Sequence, residues 1–353
     1  MKLQKLRQKI DALDQNIIDL LNIRAKITVD IGKIKIASGK SIYSPERENQ
    51  VLKKLARCSK GPLSRQALEA IYREIMSAGL ALEKKLVIAY MGPRASFSNL
   101  AALKRFGALV EYLACNNISD VFLEVERGSA DYGVVPVENS IEGAVSHTLD
   151  VFAESDLKIC SQVILDVSHN LLANCPKAKI NRVYSNPQVF GQCRIWLQEN
   201  LPCAELVDVS STTHAAEIAA REKNSAAIAS LLASKVYGLK VFASNIEDSP
   251  HNITRFFVIG KDAPSRTGED KTSVLFSIKD RVGALYDMLM PFKKYGINLT
   301  KIESRPSKKK AWEYYFYIDI CGHQLDQKVK KALSELDKKC TFMKILGSYP
   351  VGE

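Results

Sequence analysis

Residues 20–35, LLNIRAKITVDIGKIK, decide how the first quarter of the chain is read. Apolar residues recur there at helical spacing, and the same period runs outward over 3–38, predicting one long amphipathic helix. Leu3, Ile10, Ile17 and Ile31 share one heptad position, yet Arg24 takes that position between Ile17 and Ile31. Arg7, Leu21, Thr28 and Lys35 share the neighbouring seam. A long cationic side chain can lay its stem along an apolar stripe and keep its charge in water. Three cations on one seam ask for more, because a buried cation needs an anion and guanidinium groups grip carboxylates in bidentate fashion.

Distance divides these cations. With a rise of about 1.5 Å per residue, Arg24 and Lys35 lie about 16 Å apart along the axis, and Arg7 and Lys35 about 42 Å. Arg24 and Lys35 can reach inward to one small dianion. Arg7 joins them only from a second, antiparallel copy of the helix, so the pattern predicts a helical dimer with shared sites. After the loop SGKSIYSPE (38–46), further helices are expected over 46–58 and 63–84, separated by KGPLS (60–64). Ser44 is the expected N-cap of the second helix, with Pro45 in its first turn. Arg47 and Glu48 then add a cation and a carboxylate near that helix start.

The rest of the chain changes character twice. From LVIAYMG (86–92), short β-rich runs such as YGVVPVE (132–138), AAIAS (226–230) and RFFVIG (255–260) alternate with helical ones such as SNLAALKRFG (98–107) and TTHAAEIAARE (212–222). That alternation predicts an α/β domain. KDAPSRTGEDK (261–271) reads as a linker. Beyond it, the order β-α-β-β-α-β, with helices at GALYDMLMPFKKYG (283–296) and 325–337, is that of a small ferredoxin-like unit. No internal repeat is present.

Composition narrows the partners. A chain of 353 residues, 46% hydrophobic and 25% charged, is a globular protein of two or three domains. The charged start MKLQKLRQKID has no apolar h-region and predicts no secretory leader. No apolar run approaches the roughly 18 residues of a membrane span. Eight scattered cysteines without a C-x-x-C or Cys/His group predict reduced cytoplasmic thiols and no metal site. The formal charge of +11 suits small anionic substrates. Its basic residues are spread out apart from SKKK (307–310), read as a solvated loop, so neither nucleic acid nor membrane is expected as a partner.

Three motifs outside the first helix stand out. In YMGPRASFSNLAAL (90–103), Ser96 and Ser98 sit near a helix N-terminus, where hydroxyls and free N–H groups can receive a carboxylate, although serine caps on such turns are common. VVPVENSIEGAV (134–145) sets Glu138, Asn139 and Ser140 after a strand, and SPHNITRFFVIG (249–260) leads into one with Asn252, Thr254 and Arg255. Residues at strand ends face the ligand crevice of α/β folds.

On these residues the chain resembles three families in succession. LRQKIDALDQNIIDLLNIRAKITVDIGKIK (6–35) with YSPERE (43–48) resembles the all-helical chorismate mutase domain, over about residues 1–85. The resemblance implies that Arg7 of the partner subunit, Arg24 and Arg47 hold the two carboxylates of chorismate. Lys35 and Glu83 would be aimed at the ether oxygen, and Glu48 at the ring hydroxyl. Glu83 donates only while it carries a proton, so mutase activity is expected to decline as pH rises and Glu83→Gln to flatten the decline. Ser44 and Gly79 depart from the family pattern, where Asp and Ser are found. A Claisen rearrangement is intramolecular, so the protein need only hold the folded conformer and stabilise charge on the ether oxygen.

GPRASFS (92–98), DYGVVPVENS (131–140), YSNPQ (184–188), SSTTHAAEIAA (210–220) and NITRFFVIG (252–260) resemble prephenate dehydratase, over about residues 86–262. The implied fold is two α/β lobes like those of periplasmic binding proteins. Thr254 is the implied catalytic residue, with Asn139, Ser140, Ser211, Thr212, Thr213 and Phe256 lining the cleft for prephenate. Ala95 stands where glycine is usual, and Asn186 where histidine is frequent. Residues 272–350 resemble an ACT domain, taken as 272–353. Its two motifs, GALYDML (283–289) and NLTKIESRP (298–306), imply phenylalanine as effector. The implied contacts are Gly283, Ala284, Leu285, Asn298, Glu303, Ser304, Arg305 and Pro306, between ACT domains of two subunits.

The resemblance thus predicts a multidomain cytoplasmic enzyme without cofactor: an all-α mutase domain, a two-lobed α/β dehydratase domain and an α+β ferredoxin-like ACT domain, in a homodimer or higher homo-oligomer. An amino-acid-sensing protein with a lapsed cleft would not need the set Arg7, Arg24, Lys35, Arg47, Glu48 and Thr254. A prephenate dehydrogenase would need a dinucleotide-binding glycine fingerprint after a strand, and the chain has none.

Overall fold

The computed structural model describes residues 2–279, 281–307 and 313–351. Three helices lead: α1 (Lys2–Ala37), α2 (Pro45–Cys58) and α3 (Arg65–Glu83). Ser64 caps α3 by accepting from Ala67 N at 3.2 Å. Ser44 holds the N-cap position of α2 without a side-chain bond, and Pro45 fills N1. Only Thr28 and Gly32 of α1 are buried among the described residues. Leu3, Ile10 and Ile17 are each more than half exposed, so the stripe read from the sequence has no cover within one chain. Gly32 permits the approach of α3: a Cβ there would lie 2.9 Å from Glu83 Cα.

The next lobe comprises β1 (Val87–Met91), α4 (Phe97–Phe106), β2 (Glu111–Cys115), α5 (Ile118–Arg127), β3 (Tyr132–Asn139), β4 (Gly143–Ala144), α6 (Ser146–Glu154) and β5 (Lys158–Asp166). The chain then crosses to β6 (Asn170–Ala173), β7 (Arg182–Ser185), α7 (Pro187–Gln192), α8 (Arg194–Asn200), β8 (Glu205–Asp208), α9 (Thr212–Arg221), β9 (Ser225–Ala229), α10 (Leu231–Tyr237) and β10 (Lys240–Ala243). It returns as β11 (Ile253–Gly260), antiparallel between β3 and β5, giving the order β2-β1-β3-β11-β5. The second lobe has the order β10-β6-β9-β7-β8. This return puts Thr254 directly opposite Asn139 on one side and Leu165 on the other.

The last unit is β12 (Asp270–Ser277), α11 (Ala284–Lys294), β13 (Leu299–Pro306), β14 (Tyr314–Cys321), α12 (Gln327–Asp337) and β15 (Phe342–Pro350), an antiparallel sheet of order β13-β14-β12-β15. The expected linker ends early because Asp270 starts β12 and binds back to Thr267 and Gly268. Of the SKKK run, Ser307 is buried rather than solvated, and its hydroxyl donates to Glu313 Oε2 at 2.9 Å. Lys308, Lys309 and Lys310 lie outside the described residues.

Cores cross the domain borders. Phe152 and Phe257 of the first lobe share a cluster with Leu275, Tyr317, Leu346 and Tyr349 of the last unit. Ile42, Tyr43 and Leu80 of the helical unit share another with Phe106, Tyr132 and Val134. Gly347 lets β15 press on β5, since a Cβ there would stand 2.5 Å from Ile159 O. Burying apolar surface at about 25 cal/mol per Å² makes such shared clusters strong ties.

Candidate active sites and effector site

Arg24, Lys35, Arg47, Glu48 and Glu83 line one cavity of about 500 Å³ between the helices. Lys35 Nζ donates to Glu83 Oε2 at 2.8 Å and to Ile42 O at 2.7 Å. Arg24 Nη1 reaches Ile75 O at 3.4 Å. Arg7 is exposed far along α1 and does not line the cavity of its own chain. Thr28 of the α1 seam also lines the cavity, whereas Met76 and Leu80 of α3 carry no motif and were not legible in the sequence. Gly79 is explained by crowding: a Cβ there would lie 3.2 Å from Thr28 Cγ2 and 3.5 Å from Arg24 Nη1. Cations and a carboxylate pair set in an apolar pocket suit a small dianion and can stabilise charge without a nucleophile.

The second constellation lies where β11 re-enters the sheet. Asn139 Oδ1 accepts from Ile141 N at 2.9 Å and Glu142 N at 3.1 Å. Those two donors fix the amide orientation, so Nδ2 faces Thr254 Oγ1 and Asn252 Oδ1, each at 2.8 Å. Thr254, 9% exposed, therefore receives a hydrogen bond and keeps its own O–H to donate. Ser140 is spent on structure: its hydroxyl donates to His251 O at 2.7 Å and accepts from Ile253 N at 2.9 Å.

Asn252 Nδ2 donates to Gln192 Oε1 at 3.1 Å, and His169 Nε2 lies 2.8 Å from the same oxygen. Gln192 Nε2 donates to Glu142 Oε1 at 3.0 Å, which orients this amide too. Burial lowers the His169 pKa, so a neutral ring donates from Nε2. Gln192 and His169 lie outside every motif, and only the folded chain brings them to the lobe junction.

Across that junction, Ser211 caps α9 by accepting from His214 N at 3.1 Å. Thr212 and Thr213 form its first turn. Thr213 Oγ1 is buried with no hydrogen-bond partner. Phe256 is a correction to the cleft reading. It is 1% exposed in the cluster with Tyr90, Val134 and Val163, because β11 is covered by neighbouring strands and α4. Ala95, the departure from glycine, holds φ +72 and packs its methyl among Leu172, Ala215 and Ala229 of the other lobe. Asn186 caps α7, accepting from Gln188 N at 3.0 Å.

A third cavity, about 280 Å³, is lined by Gly283, Ala284 and Leu285 with Lys279, Arg281, Tyr314 and Phe316. Gly283 is the N-cap of α11 at φ +75, a conformation that favours glycine. Asn298, Glu303, Ser304, Arg305 and Pro306 do not line this cavity. The alternation of β13 sends 301, 303 and 305 to its partly buried face and 302, 304 and 306 to the exposed one. Arg305 is accordingly turned to the first lobe, where Nε donates to Asp150 Oδ1 at 3.1 Å. One chain does not assemble the two motifs into a single pocket.

The comparisons with known proteins follow the same three-part division. The family model for chorismate mutase type II matches residues 6–84, that for prephenate dehydratase 88–264 and that for the ACT domain 272–338. The bifunctional chorismate mutase/prephenate dehydratase of Aquifex aeolicus (strain VF5) is 49% identical over 354 residues, covering 99% of this chain and 98% of that protein. A prephenate dehydratase from Arthrobacter aurescens, solved in complex with L-Phe, is 34% identical with a TM-score of 0.71, over 75% of this chain and 90% of that one. A structure described as a novel type of quorum quenching acylase is 28% identical with a TM-score of 0.70, over 75% of this chain and 98% of that one. Helical domain, two-lobed domain and ACT domain in this order, with identity along the whole length, place the chain in the bifunctional chorismate mutase/prephenate dehydratase family.

Proposed function

We propose that residues 1–85 rearrange chorismate to prephenate, residues 86–262 convert prephenate to phenylpyruvate, and residues 272–353 bind phenylalanine and restrain that flux. Arg24 and Arg47, with the partner's Arg7, hold the substrate carboxylates. Lys35 donates to the ether oxygen, and Glu83 steadies Lys35 or itself donates. Glu48 accepts from the ring hydroxyl. The bare stripe of α1 supports a homodimer in which two such helices cover each other. Eight unpaired cysteines suit the reducing cytoplasm, and among the described residues no helix is long and apolar enough to cross a membrane.

In the second step, the bond to the ring carboxylate breaks and its electron pair completes the aromatic ring as the hydroxyl leaves. Thr254 donates a hydrogen bond to the departing oxygen, and Asn139 keeps that O–H aimed outward. This Asn139–Thr254 contact is the observation that carries the dehydratase reading. The unpartnered Thr213 hydroxyl at the N-terminus of α9 supports a carboxylate there. For regulation, support comes from the cavity at Gly283–Leu285 and from the phenylalanine complex of the Arthrobacter protein. The partner's β13 would close that cavity.

Incubating the purified protein with chorismate, with and without phenylalanine, and following prephenate and phenylpyruvate tests the whole scheme. Both products form in sequence, and phenylalanine suppresses phenylpyruvate. Thr254→Ala should stop at prephenate; phenylpyruvate formation at the wild-type rate by that variant would remove the dehydratase assignment.

A further inference from the structure

Arg105 belongs to the last turn of α4, a helix of the dehydratase domain, yet its guanidinium is spent on the mutase domain. Nη2 lies 3.1 Å from Glu48 Oε2, with the two side chains 20% and 13% exposed. Nε donates to Tyr43 Oη, and the guanidinium carbon sits 5.5 Å from the centroid of the Tyr43 ring. Tyr43 is itself fixed: it packs against Phe106 and Tyr132 at 4.8 and 5.1 Å between centroids, and Oη is 3.3 Å from Ser161 Oγ. A cation held on two sides by one rigid aromatic residue is a pre-organised partner for a carboxylate.

Glu48 lines the mutase cavity. Burial pushes its carboxyl above the usual carboxylate range, and Arg105 is the largest charge acting against that push. The other charged groups facing it are Arg73 from α3, Lys35 from α1 and Glu46 from its own helix. An ionised carboxylate accepts from a hydroxyl through any of its lone pairs, whereas a protonated one competes as a donor. Resting on the reading that Glu48 accepts from the ring hydroxyl, we propose that Arg105 is a positioning residue of the mutase: the dehydratase domain supplies the cation that aims and charge-balances Glu48, so the mutase site is built from two domains of one chain.

Of the mutase domain's own cations, Arg73 also acts on Glu48 but more weakly than Arg105. Arg24 and Arg47 are assigned to the substrate carboxylates in this reading, and Lys35 is engaged by Glu83. The loop after α4 reinforces the docking: Leu109 N donates to Ser77 Oγ at 3.1 Å, and Ala108 N to Glu74 Oε2 at 3.2 Å.

The test uses the full chain carrying Arg105→Gln, Arg105→Lys, Tyr43→Phe or Glu48→Ala. Mutase kcat/KM is measured against pH, and dehydratase turnover on added prephenate reports an intact fold. Arg105→Gln should lower mutase kcat/KM about tenfold near neutral pH and move its acid limb upward, the loss shrinking as pH rises, since one pK unit carries a factor of ten. Arg105→Lys keeps the charge and should recover most of the loss, with dehydratase turnover unchanged. Should Arg105→Gln also lose dehydratase turnover, Tyr43→Phe decides: an acid limb moved the same way supports the proposal, and an unmoved one overturns it. A fall in Glu48→Ala with no change in Arg105→Gln overturns the proposal alone. Wild-type mutase activity in Glu48→Ala overturns the reading of Glu48 and the proposal with it.

Discussion

Arg255 Nη1 lies 2.6 Å from Asp319 Oδ2, joining the strand that carries Thr254 to the middle of the ACT sheet, with the side chains 11% and 5% exposed. The network is saturated: Arg255 Nε donates to Gln162 Oε1 and Nη2 to Tyr349 Oη, each at 2.9 Å, while Ser273 Oγ donates to Asp319 Oδ1 at 2.5 Å. Removing one partner of a buried pair leaves an uncompensated charge, which costs about 3–5 kcal/mol. Asp319→Ala leaves Arg255 only the more distant Glu138, 3.7 Å from Nη1, so it should lower unfolding stability by up to that amount in denaturant melts, and Arg255→Met with Asp319→Leu should regain much of it.

Beside this pair, Lys301 Nζ of β13 lies 2.9 Å from Glu138 Oε2, one residue before Asn139. An effector acting on β13 can thus reach the residue that aims Thr254 through one ion pair. Lys301→Met is expected to weaken phenylalanine inhibition while leaving uninhibited dehydratase turnover intact. The inhibition curve against phenylalanine concentration reads this directly, and an unchanged curve would rule out the route.

Asn139 and Thr254 give a prediction about chemistry alone. General acid assistance is worth about 10²–10⁴-fold in rate, so Thr254→Ala should cut dehydratase kcat within that range and Thr254→Ser much less. Asn139→Asp keeps the bonds to Ile141 N and Glu142 N but turns an acceptor toward Thr254, so it should approach the Thr254→Ala defect. Mutase turnover should not change in any of the three.

The dimer reading turns on Arg7 and Arg24. If each site takes Arg24 from one chain and Arg7 from the other, mixing Arg7→Ala with Arg24→Ala subunits should restore about one quarter of wild-type mutase activity, because half of the twofold dimers are mixed and each has one intact site. Neither variant should be active alone. Ile17→Glu, which charges the bare stripe, should open the α1 contact between subunits and lose mutase but not dehydratase turnover.

Ala95 at φ +72 balances three effects. Left-handed backbone costs an L-residue about 1–2 kcal/mol. Ala95→Gly would relieve that, but it loosens the unfolded chain by about 0.4–1 kcal/mol and removes a buried methyl worth about 0.8 kcal/mol. The melting temperature of Ala95→Gly should thus stay near that of wild type. Ala95→Val adds overpacking and backbone strain, on the order of 3 kcal/mol, and should melt well below it.

The sequence by itself determined the elements. The period of 3–38 appears as α1 (Lys2–Ala37), the β-rich runs form strands of the two lobes, and β-α-β-β-α-β is the order of the last unit. These patterns are legible because side-chain period is a local property of helix and strand. The cavity cations Arg24 and Lys35 were legible for the same reason, since they break a regular stripe. What only the tertiary structure decided are the partners. Arg105 meets Glu48 and Arg255 meets Asp319 across 57 and 64 positions of sequence, Phe256 is sealed into a core, and Arg305 turns from the effector motif to Asp150. No local period records such pairings: each depends on which faces pack together, and the burial that makes these charges matter exists only once the domains have docked.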